Sequence, residues 1–410
     1  MKMKKNFWFL WVFFATLAAF SSGLVISDSL WAGQPKEIII HHIGDITGPY
    51  APITGSAALY AMPDFEKYFN GQGGIKGTMV KIIVHDTRNK REVALAKYAE
   101  ISAEKPALIV LHQSADMEVL KERLAEDKIP ALCFSPTPKT IWPRGWLFQV
   151  LPPYTDQFAL FVNWLRSDWK KKGKIKMAFV NPDYSYGHSI FTPELDDYLK
   201  KKDIEVVAKE FFPPFDVDAT TQLTRVAALK PDVIYSMTIA SQPRVILKSA
   251  ETVGLIGKVL FGMGCWGMDR GAVEVAGGLM EGVVGVQPFW TPSDTDVPIA
   301  KKFVDNFIAQ KRPAHQMTMA YTGFNTANAI AVEALAKTVE RVGWDKLNGQ
   351  EVFKTLAESK SFKAMGFQPF EFSPGTRSPL KSRIVQIKKG DVVPLSGWLP
   401  CPDMRPAEYR

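Results

Sequence analysis

The chain has 410 residues, a length that fits two domains better than one, because single hydrophobic cores stop growing at roughly 250–300 residues. Hydrophobic residues make up 46% of the chain and charged residues 22%, a balance that excludes a disordered protein and one that lies wholly in a membrane. The formal net charge of +8 is a modest basic surplus, which we interpret as a soluble basic surface with no nucleic-acid partner.

The first residues have the order of a secretory signal peptide. Three lysines within residues 2–5 precede an apolar run over residues 7–20, and small residues follow at 21–23. We predict a signal peptide over residues 1–32, cleaved at a site between 23 and 34, which places the soluble mature chain in the periplasm. The alternative is an uncleaved anchor, because a slightly longer apolar run reaches the length of about 20 residues that spans a bilayer.

The cysteines of the chain are Cys133, Cys265 and Cys401. None of them lies near the signal segment, which excludes the lipid-anchored cysteine of a bacterial lipoprotein. An odd number of cysteines in an oxidising compartment permits one disulfide with one free thiol, or three free thiols, and both alternatives stay open.

From Glu37 onward, apolar runs rich in β-branched residues alternate with segments of helical period, which predicts βαβ units and a mainly parallel sheet. Pro63 predicts a kink in the first helix. The first series predicts strands at 37–44, 79–86, 107–113, 129–135 and 147–150, and helices at 54–69, 90–103 and 116–126.

A second, similar series begins after Pro153 and predicts another sheet of the same kind. Its strands are expected at 175–181, 204–211, 232–238 and 258–263, and its helices at 156–169, 187–201, 218–229 and 242–253. An apolar run at 282–289 is followed by helices at about 297–311, 317–341 and 350–358, and by strands at 368–373 and 382–388.

Too few strands are predicted beside the late helices to form a sheet for them, so these helices must pack on an earlier sheet. The chain must therefore cross between lobes more than once. We expect crossings at about 148–153, 284–291 and 362–368, which together form a hinge. The predicted fold class is α/β, with two Rossmann-like lobes around central, mainly parallel sheets. The predicted parts are a first lobe at 35–150 and 290–364, a second lobe at 151–289 and 365–395, and a C-terminal tail at 396–410.

Four junctions between a strand and the following helix carry small polar residues. Ligands of open α/β sheets bind outside the carboxyl ends of the strands, where these junctions lie. Hydroxyl groups and free backbone N–H groups at helix starts suit a ligand carboxylate. One such junction alone is an ordinary helix cap, but four in register predict a binding cleft. They are Gly44–Ala51, His112–Asp116, Ser135–Thr137 and Tyr184–Gly187.

Enzyme signatures are weak. The segment Gly262–Gly267 matches the spacing G-x-G-x-x-G, but it follows a late strand and no acidic residue clearly ends a second strand after it. The motifs G-x-S-x-G, H-E-x-x-H and paired C-x-x-C do not occur. His41 and His42 lie in a strand pattern, so they point to opposite faces and do not chelate one metal together. We therefore predict neither an enzyme nor a cofactor.

These segments, in this order, resemble the leucine/isoleucine/valine-binding family of substrate-binding proteins, which serve branched-chain amino acid ABC importers. The resemblance covers nearly all of the predicted mature chain, and its most specific part is the asparagine-to-glycine segment before the strand that ends at Asp86. Its carriers are Gly44–Pro49, Asn70–Gly77, Asp86-Thr87, Ile129-Pro130 with Ser135 and Thr137, Phe148, Tyr186-Gly187 and Val253-Gly254-Leu255.

The resemblance implies a type I periplasmic-binding-protein fold with a three-strand hinge, a small carboxylate-bearing ligand, and the permease and ATPase subunits of an importer as membrane partners. It also implies that Ser or Thr side chains of two loops hold the ligand carboxylate while an aromatic residue closes from the second lobe. Carried over to this chain, those residues are Ser114, Ala115, Ser135, Thr137 and Tyr186.

One residue that the resemblance leads us to expect is missing. Amino-acid binders of this family place a glutamate near the ligand ammonium, in the loop that reads Met263–Gly267 here. A buried ammonium without a carboxylate partner is costly, so either Asp269, Asp116 or Asp183 replaces the glutamate, or the ligand has no ammonium. We favour a ligand without one.

Aromatic and apolar side chains then suit the body of an aromatic or aliphatic acid, with a hydrophobic amino acid as the next choice. The candidates for these contacts are Tyr50, Tyr186, Cys265, Trp266 and Trp290. Two other classes stay open: the ligand-binding component of a sensor, and an exported enzyme of Rossmann type.

Overall fold

The structure is a computed structural model of the chain, and it describes residues 33–170, 173–359, 361–368, 370–372 and 375–410. The predicted signal peptide lies outside the described residues. Among the helices that are described, none is both long enough and apolar enough to cross a membrane.

The first lobe is built on strands β1 (Glu37–Gly44), β2 (Met79–Asp86), β3 (Ile109–Leu111), β4 (Ala131–Cys133) and β5 (Leu147–Gln149). These five strands are parallel, in the order β2-β1-β3-β4-β5. Strands β3 and β4 are buried throughout, as expected for a parallel sheet covered on both faces. The connecting helices are α1 (Ala51–Asn70), α2 (Arg91–Ala103), α3 (Ser114–Asp127) and α4 (Pro138–Ile141).

The second lobe begins with α5 (Tyr154–Asp168) and strand β6 (Ile175–Pro182). Rings of α5 pack on the sheet, where Phe158 lies 4.6 Å and Phe161 4.8 Å from the ring centroid of Tyr235. The elements that follow are α6 (Ser185–His188), α7 (Pro193–Lys201), β7 (Ile204–Phe212), α8 (Thr220–Ala228), β8 (Val233–Ser236), α9 (Gln242–Thr252), β9 (Leu260–Met263), α10 (Arg270–Ala276) and β10 (Val284–Gln287).

The chain then returns to the first lobe. Phe303 and Phe307 of α11 (Pro298–Ala309) contact Tyr68 and Tyr60 of α1, with ring centroids 5.3 and 5.5 Å apart. The other elements of this return are α12 (Met319–Val342), α13 (Gly349–Glu358) and the short hairpin of β11 (Ser361–Phe362) and β12 (Phe370–Glu371).

Strands β13 (Lys381–Lys388), β14 (Asp391–Pro394) and β15 (Leu399–Pro400) complete the second sheet. Its order is β14-β13-β10-β9-β8-β6-β7, with β15 beside β13. The pairs among β6 to β10 are parallel, whereas β13 runs antiparallel to β10 and β14 antiparallel to β13. The predicted α/β architecture with two mainly parallel sheets is therefore present.

The third crossing between the sheets comes later than predicted. Phe372 still packs on Phe148 of the first lobe, with ring centroids 5.6 Å apart, and the second sheet resumes at Lys381. The expected crossing at 362–368 and the lobe boundary after 364 are therefore too early. The hydrophobic pattern missed this because Phe362, Phe370 and Phe372 bury their rings against one another before the chain leaves.

One helix prediction is also corrected. Helix α1 continues through Pro63, and the kink predicted there stays a prediction. The single helix predicted at 187–201 is two helices, because Pro193 forces an extended conformation on Thr192 and starts a new helix there. Thr192 caps this new helix by accepting from the Leu195 N–H at 3.3 Å.

Candidate ligand-binding site

A cavity of about 230 Å³ lies between the lobes, at the carboxyl ends of the parallel strands of both sheets. This is the place where open α/β sheets bind ligands. All four junctions singled out in the sequence contribute to the wall, and six of the eight predicted ligand-binding residues stand on it. The wall residues are Tyr50, Thr54, Asn89, His112, Gln113, Ser114, Ala115, Phe134, Ser135, Tyr154, Tyr184, Ser185, Tyr186, Pro214, Phe215, Ile239, Trp266 and Phe324.

The first lobe contributes a helix N-terminus to the wall. Ser114 and Ala115 are the first two residues of α3, and Gln113 before them is extended. N–H groups of the first helical turn have no partner inside the helix, and the helix dipole makes them favourable neighbours for an anion. Ser114 adds a hydroxyl from the same turn, so this end of the cavity suits a carboxylate.

Ser135, just after β4, stands in a hydrogen-bond chain that reaches the second lobe. The Tyr154 hydroxyl oxygen lies 3.3 Å from both Ser135 Oγ and the Phe134 carbonyl oxygen, and Trp266 Nε1 donates to the Tyr154 hydroxyl oxygen at 2.7 Å. A serine hydroxyl is a donor as well as an acceptor, so Ser135 can donate its O–H to a ligand oxygen.

The loop before α1 is held by two carboxylates. Asp45 accepts from the N–H groups of Gly48 at 2.6 Å and Tyr50 at 3.0 Å, and Asp86 accepts from the Ile46 N–H at 2.9 Å. These bonds fix the backbone that carries Tyr50 to the cavity. Burial raises the pKa of Tyr50 to about 12, so its hydroxyl is protonated at neutral pH.

His112 stands beneath the polar end as a neutral ring. The Asn328 side-chain oxygen accepts from His42 Nε2 at 2.9 Å, which assigns His42 Nδ1 as the acceptor of the His112 Nε2–H at 3.1 Å. Burial lowers the pKa of His42 to about 3 and that of His112 well below its usual value. The His112 ring stacks on Phe324 at 4.2 Å between centroids, so it serves as a polar but uncharged part of the wall.

The second lobe contributes rings. Tyr186 packs edge-on against Tyr154 with centroids 4.7 Å apart, and the Tyr184 hydroxyl donates to Gln242 Oε1 at 3.4 Å. The loop after β9 approaches closely, because a Cβ at Gly264 would lie only 2.6 Å from the Tyr186 hydroxyl oxygen. Residues of both lobes therefore line the cavity.

The glycines of the segment Gly262–Gly267 serve packing. A Cβ at Gly262 would lie 2.6 Å from the Phe161 ring, and one at Gly267 would lie 2.8 Å from the Thr238 hydroxyl oxygen. Each glycine faces a side chain at close range, which explains the spacing without a dinucleotide.

Asp, Glu, Lys and Arg are absent from the part of the wall that the structure describes. Asp183, one of the three predicted ammonium partners, is exposed and pairs with His188 Nε2 at 2.7 Å. Asp116 is buried behind the wall beside Thr87, and burial raises its pKa to about 7. One of its carboxyl oxygens has no hydrogen-bond partner among the described residues.

Asp269, the third predicted partner, joins the lobes instead. Its carboxylate accepts from the Gly271 N–H at 2.6 Å within α10 and from the Met319 N–H at 2.5 Å, which is the first residue of α12 in the other lobe. It is fully buried, and burial raises its pKa to about 6. The side chain therefore caps two helices, one on each side of the cleft, and is not available to a ligand ammonium.

Two other predicted site residues stand off the wall. The Thr137 hydroxyl oxygen accepts from the Thr140 N–H at 3.3 Å and caps α4, so it serves the helix. Cys265 is buried behind Trp266, and burial raises the pKa of its thiol. Trp290 is likewise absent from the wall, since it stacks on Phe367 at 5.2 Å. Cys133, Cys265 and Cys401 are all free thiols in the structure.

Several wall residues were missed from the sequence. Pro214, Phe215 and Ile239 follow strands β7 and β8, so the strand-end argument that found the four junctions would also have found these. Phe324 comes from α12, a helix buried on nearly all sides, and its pattern does not distinguish a wall residue from a core residue.

A family model described as periplasmic binding protein matches residues 37–391 of the chain. Curated proteins yielded no significant match. Many solved structures share the fold, including one of a branched-chain amino acid ABC transporter from Thermus thermophilus with bound valine. That structure is 20% identical, has a TM-score of 0.80, and is matched over 92% of this chain and 98% of its own.

Two further structures are similar. The fatty acid ABC transporter substrate-binding protein from Thermomonospora curvata is 20% identical, with a TM-score of 0.75 over 90% of this chain and 94% of its own. An ABC transporter solute-binding protein from R. palustris in complex with benzoate is 19% identical, with a TM-score of 0.72 over 89% and 97%. The chain belongs to the periplasmic binding protein family, has the type I fold of these structures, and is a solute-binding protein and not an enzyme.

Proposed function

We propose that the chain is the solute-binding subunit of an ABC importer, and that its ligand is a small carboxylate with an aromatic or aliphatic body and no ammonium. The observation that carries this proposal is the composition of the wall. A helix N-terminus and serine hydroxyls at one end face a set of aromatic rings, and the described wall contains no carboxylate.

The carboxylate end is assigned to α3 and Ser135. First-turn N–H groups of α3 and the hydroxyls of Ser114 and Ser135 are all donors that an anion can use. A hydrogen bond to a charged group contributes about 1.5–3 kcal/mol, so two or three of them suffice to hold a carboxylate without a Lys or Arg partner.

The body of the ligand is assigned to the rings. An apolar cavity of about 150 Å³ holds a benzene molecule. The cavity of about 230 Å³ therefore has room for one aromatic ring, or an aliphatic chain of similar volume, together with its carboxylate. Tyr184, Tyr186, Phe134, Phe324 and Trp266 offer ring faces and edges on which such a body packs.

An ammonium finds no carboxylate partner on the described wall. A buried charge without a partner costs on the order of several kcal/mol, which exceeds what the remaining contacts of a small ligand compensate. Hydrophobic amino acids are the second candidate, because the Thermus thermophilus structure holds valine and because Asp116 has an unpartnered carboxyl oxygen behind the wall. The other two structures support the first candidate. One is a fatty acid ABC transporter substrate-binding protein, and the other is a complex with benzoate.

Because both lobes line the cavity, a bound ligand should favour closure of the two lobes. A ligand that touches both α3 and the second-lobe rings stabilises the closed form over the open one. Small-angle scattering of the purified chain should show a smaller radius of gyration at saturating ligand, and an unchanged radius would contradict this mechanism. The permease and ATPase subunits of the importer are the membrane partners that this function requires.

Calorimetry with matched ligands tests the proposal. 3-Phenylpropanoate differs from phenylalanine, and 4-methylpentanoate from leucine, only by the ammonium group. We expect each deaminated acid to bind at least about 100-fold more tightly than its amino acid, since the stranded ammonium costs several kcal/mol. Micromolar binding of leucine with no binding of 4-methylpentanoate would refute the proposal, and loss of that leucine binding in Asp116→Asn would identify the ammonium partner.

A further inference from the structure

An outer groove borders the ligand cavity. This groove has a volume of about 460 Å³ and shares Tyr50, Pro214, Phe215 and Ile239 with the cavity wall. These four residues form the boundary that a ligand longer than the cavity must cross to reach the groove. Phe215 is 65% exposed at this boundary, which is unusual for a phenylalanine unless something covers it.

The groove suits an uncharged occupant. Of its two cations, Arg244 donates to the Val275 carbonyl at 3.2 Å and Lys248 pairs with Glu251 at 2.6 Å, so both are engaged outside the groove. Asp216 adds an exposed carboxylate to the rim, which repels a second anionic group.

The apolar lining of the groove gives such an occupant somewhere to pack. Phe215 and Val217 are 65% and 90% exposed, and Val245 stands beside them at 8% exposure. Covering the first two with an apolar chain removes hydrophobic surface from water, which favours binding.

We propose that the groove is a second subsite, which takes the uncharged tail of an elongated carboxylate whose acid end sits at α3. This inference rests on the proposed function, because it takes the position of the carboxylate from it. The ligand class is then narrowed to aryl-alkyl or linear alkyl acids longer than the cavity alone can hold.

The test is a chain-length series measured by calorimetry: benzoate, phenylacetate, 3-phenylpropanoate, 4-phenylbutanoate and 5-phenylpentanoate. Each methylene buried in the groove should raise affinity about two- to fourfold. Ser241→Trp should fill the groove and abolish this gain for the longest acids, while benzoate binding stays unchanged. Ser241 is exposed and makes no side-chain cap, so its replacement leaves the fold intact.

Two further variants complete the experiment. Val217→Ser removes apolar lining from the groove alone and should reduce the gain per methylene, whereas Ile308→Trp on the exposed face of α11 is the matched control and should change nothing. Equal affinities along the series, or a gain that survives Ser241→Trp, would overturn the subsite and leave the proposed function standing. Failure of every acid to bind would overturn both.

Discussion

The two lobes contribute unlike halves to the cavity. The first lobe presents the start of α3, Ser135 and the neutral His112, whereas the second presents Tyr184, Tyr186 and other rings. His112 of the polar half is fixed in place by bonds within its own lobe, through His42 to Asn328. Under the proposed function, the first lobe holds the charged end of the ligand and the second lobe contacts its body.

The largest expected effect on affinity comes from removing donors at the start of α3, in the polar half of the cavity. Ser114→Pro removes a hydroxyl and an N–H group at the first position of α3, where proline suits a helix and the extended Gln113 suits a following proline. Loss of two charge-assisted bonds should weaken carboxylate binding about 100-fold. Calorimetry measures this.

Ser114→Ala is the matched control, because it removes the hydroxyl alone and should cost about tenfold. Thermal unfolding of both variants within about 2 °C of the parent chain would show that the helix is intact. Unchanged carboxylate affinity in Ser114→Pro would show that α3 does not hold the acid end.

The second-largest effect on affinity is expected at Asp269, whose carboxylate bonds to both lobes. Asp269→Asn leaves an amide N–H₂ facing an N–H donor of Gly271 or Met319, so the closed form loses one acceptor. Affinity for any ligand should fall about tenfold, without change in ligand preference, and the radius of gyration at saturation should rise. Asp183→Asn, at an exposed carboxylate, is the control and should bind as the parent does.

A smaller effect is expected in the half contributed by the second lobe. Tyr184→Phe removes the hydroxyl, which donates to Gln242 Oε1 at 3.4 Å, and keeps the ring. Because this bond within the second lobe positions the Tyr184 ring, affinity should fall about two- to tenfold, by the usual net value of one hydrogen bond, equally for aromatic and aliphatic acids. A change of ligand preference in competition titrations would show that the hydroxyl itself touches the ligand.

The smallest effect concerns stability behind the polar half. The folded pKa of Asp116 is raised to about 7, so the folded state binds a proton more readily than the unfolded state, and this residue stabilises the fold as pH falls through 7 towards 4. Above pH 7 the residue is buried as a charge. Asp116→Asn should therefore raise the melting temperature by about 2 °C or more at pH 8, and the gain should shrink by pH 5.

As pH falls, the buried histidines change the stability of the fold in the direction opposite to Asp116, which provides a check on that prediction. His42 has a folded pKa of about 3, so stability is lost as pH falls below 6.5, when the unfolded chain takes up a proton that the folded chain does not. The stability of the parent chain depends on pH through both Asp116 and the buried histidines. Only the Asp116 contribution should disappear in Asp116→Asn. A difference in melting temperature between Asp116→Asn and the parent chain that does not vary with pH would contradict the raised pKa of Asp116.

Much of the fold and part of the site followed from the sequence. Strands β1 and β2 begin and end where predicted, because their apolar runs are long and end at polar loops. The strand-end argument brought Ser114 and Tyr186 to one cavity, since parallel strands end at a common edge. Roles that depend on contacts between distant segments were misread, as Asp269 shows: its partner Met319 lies 50 residues away in the other lobe.

The absence of formally charged side chains from the described wall has a consequence for the conditions under which the protein works. Attraction between an anion and a lysine or arginine weakens as salt screens it, over a distance of about 8 Å at physiological ionic strength. Hydrogen bonds from N–H and O–H groups at contact distance are hardly screened. A receptor that holds a carboxylate by dipoles alone keeps a nearly constant affinity from dilute to saline surroundings.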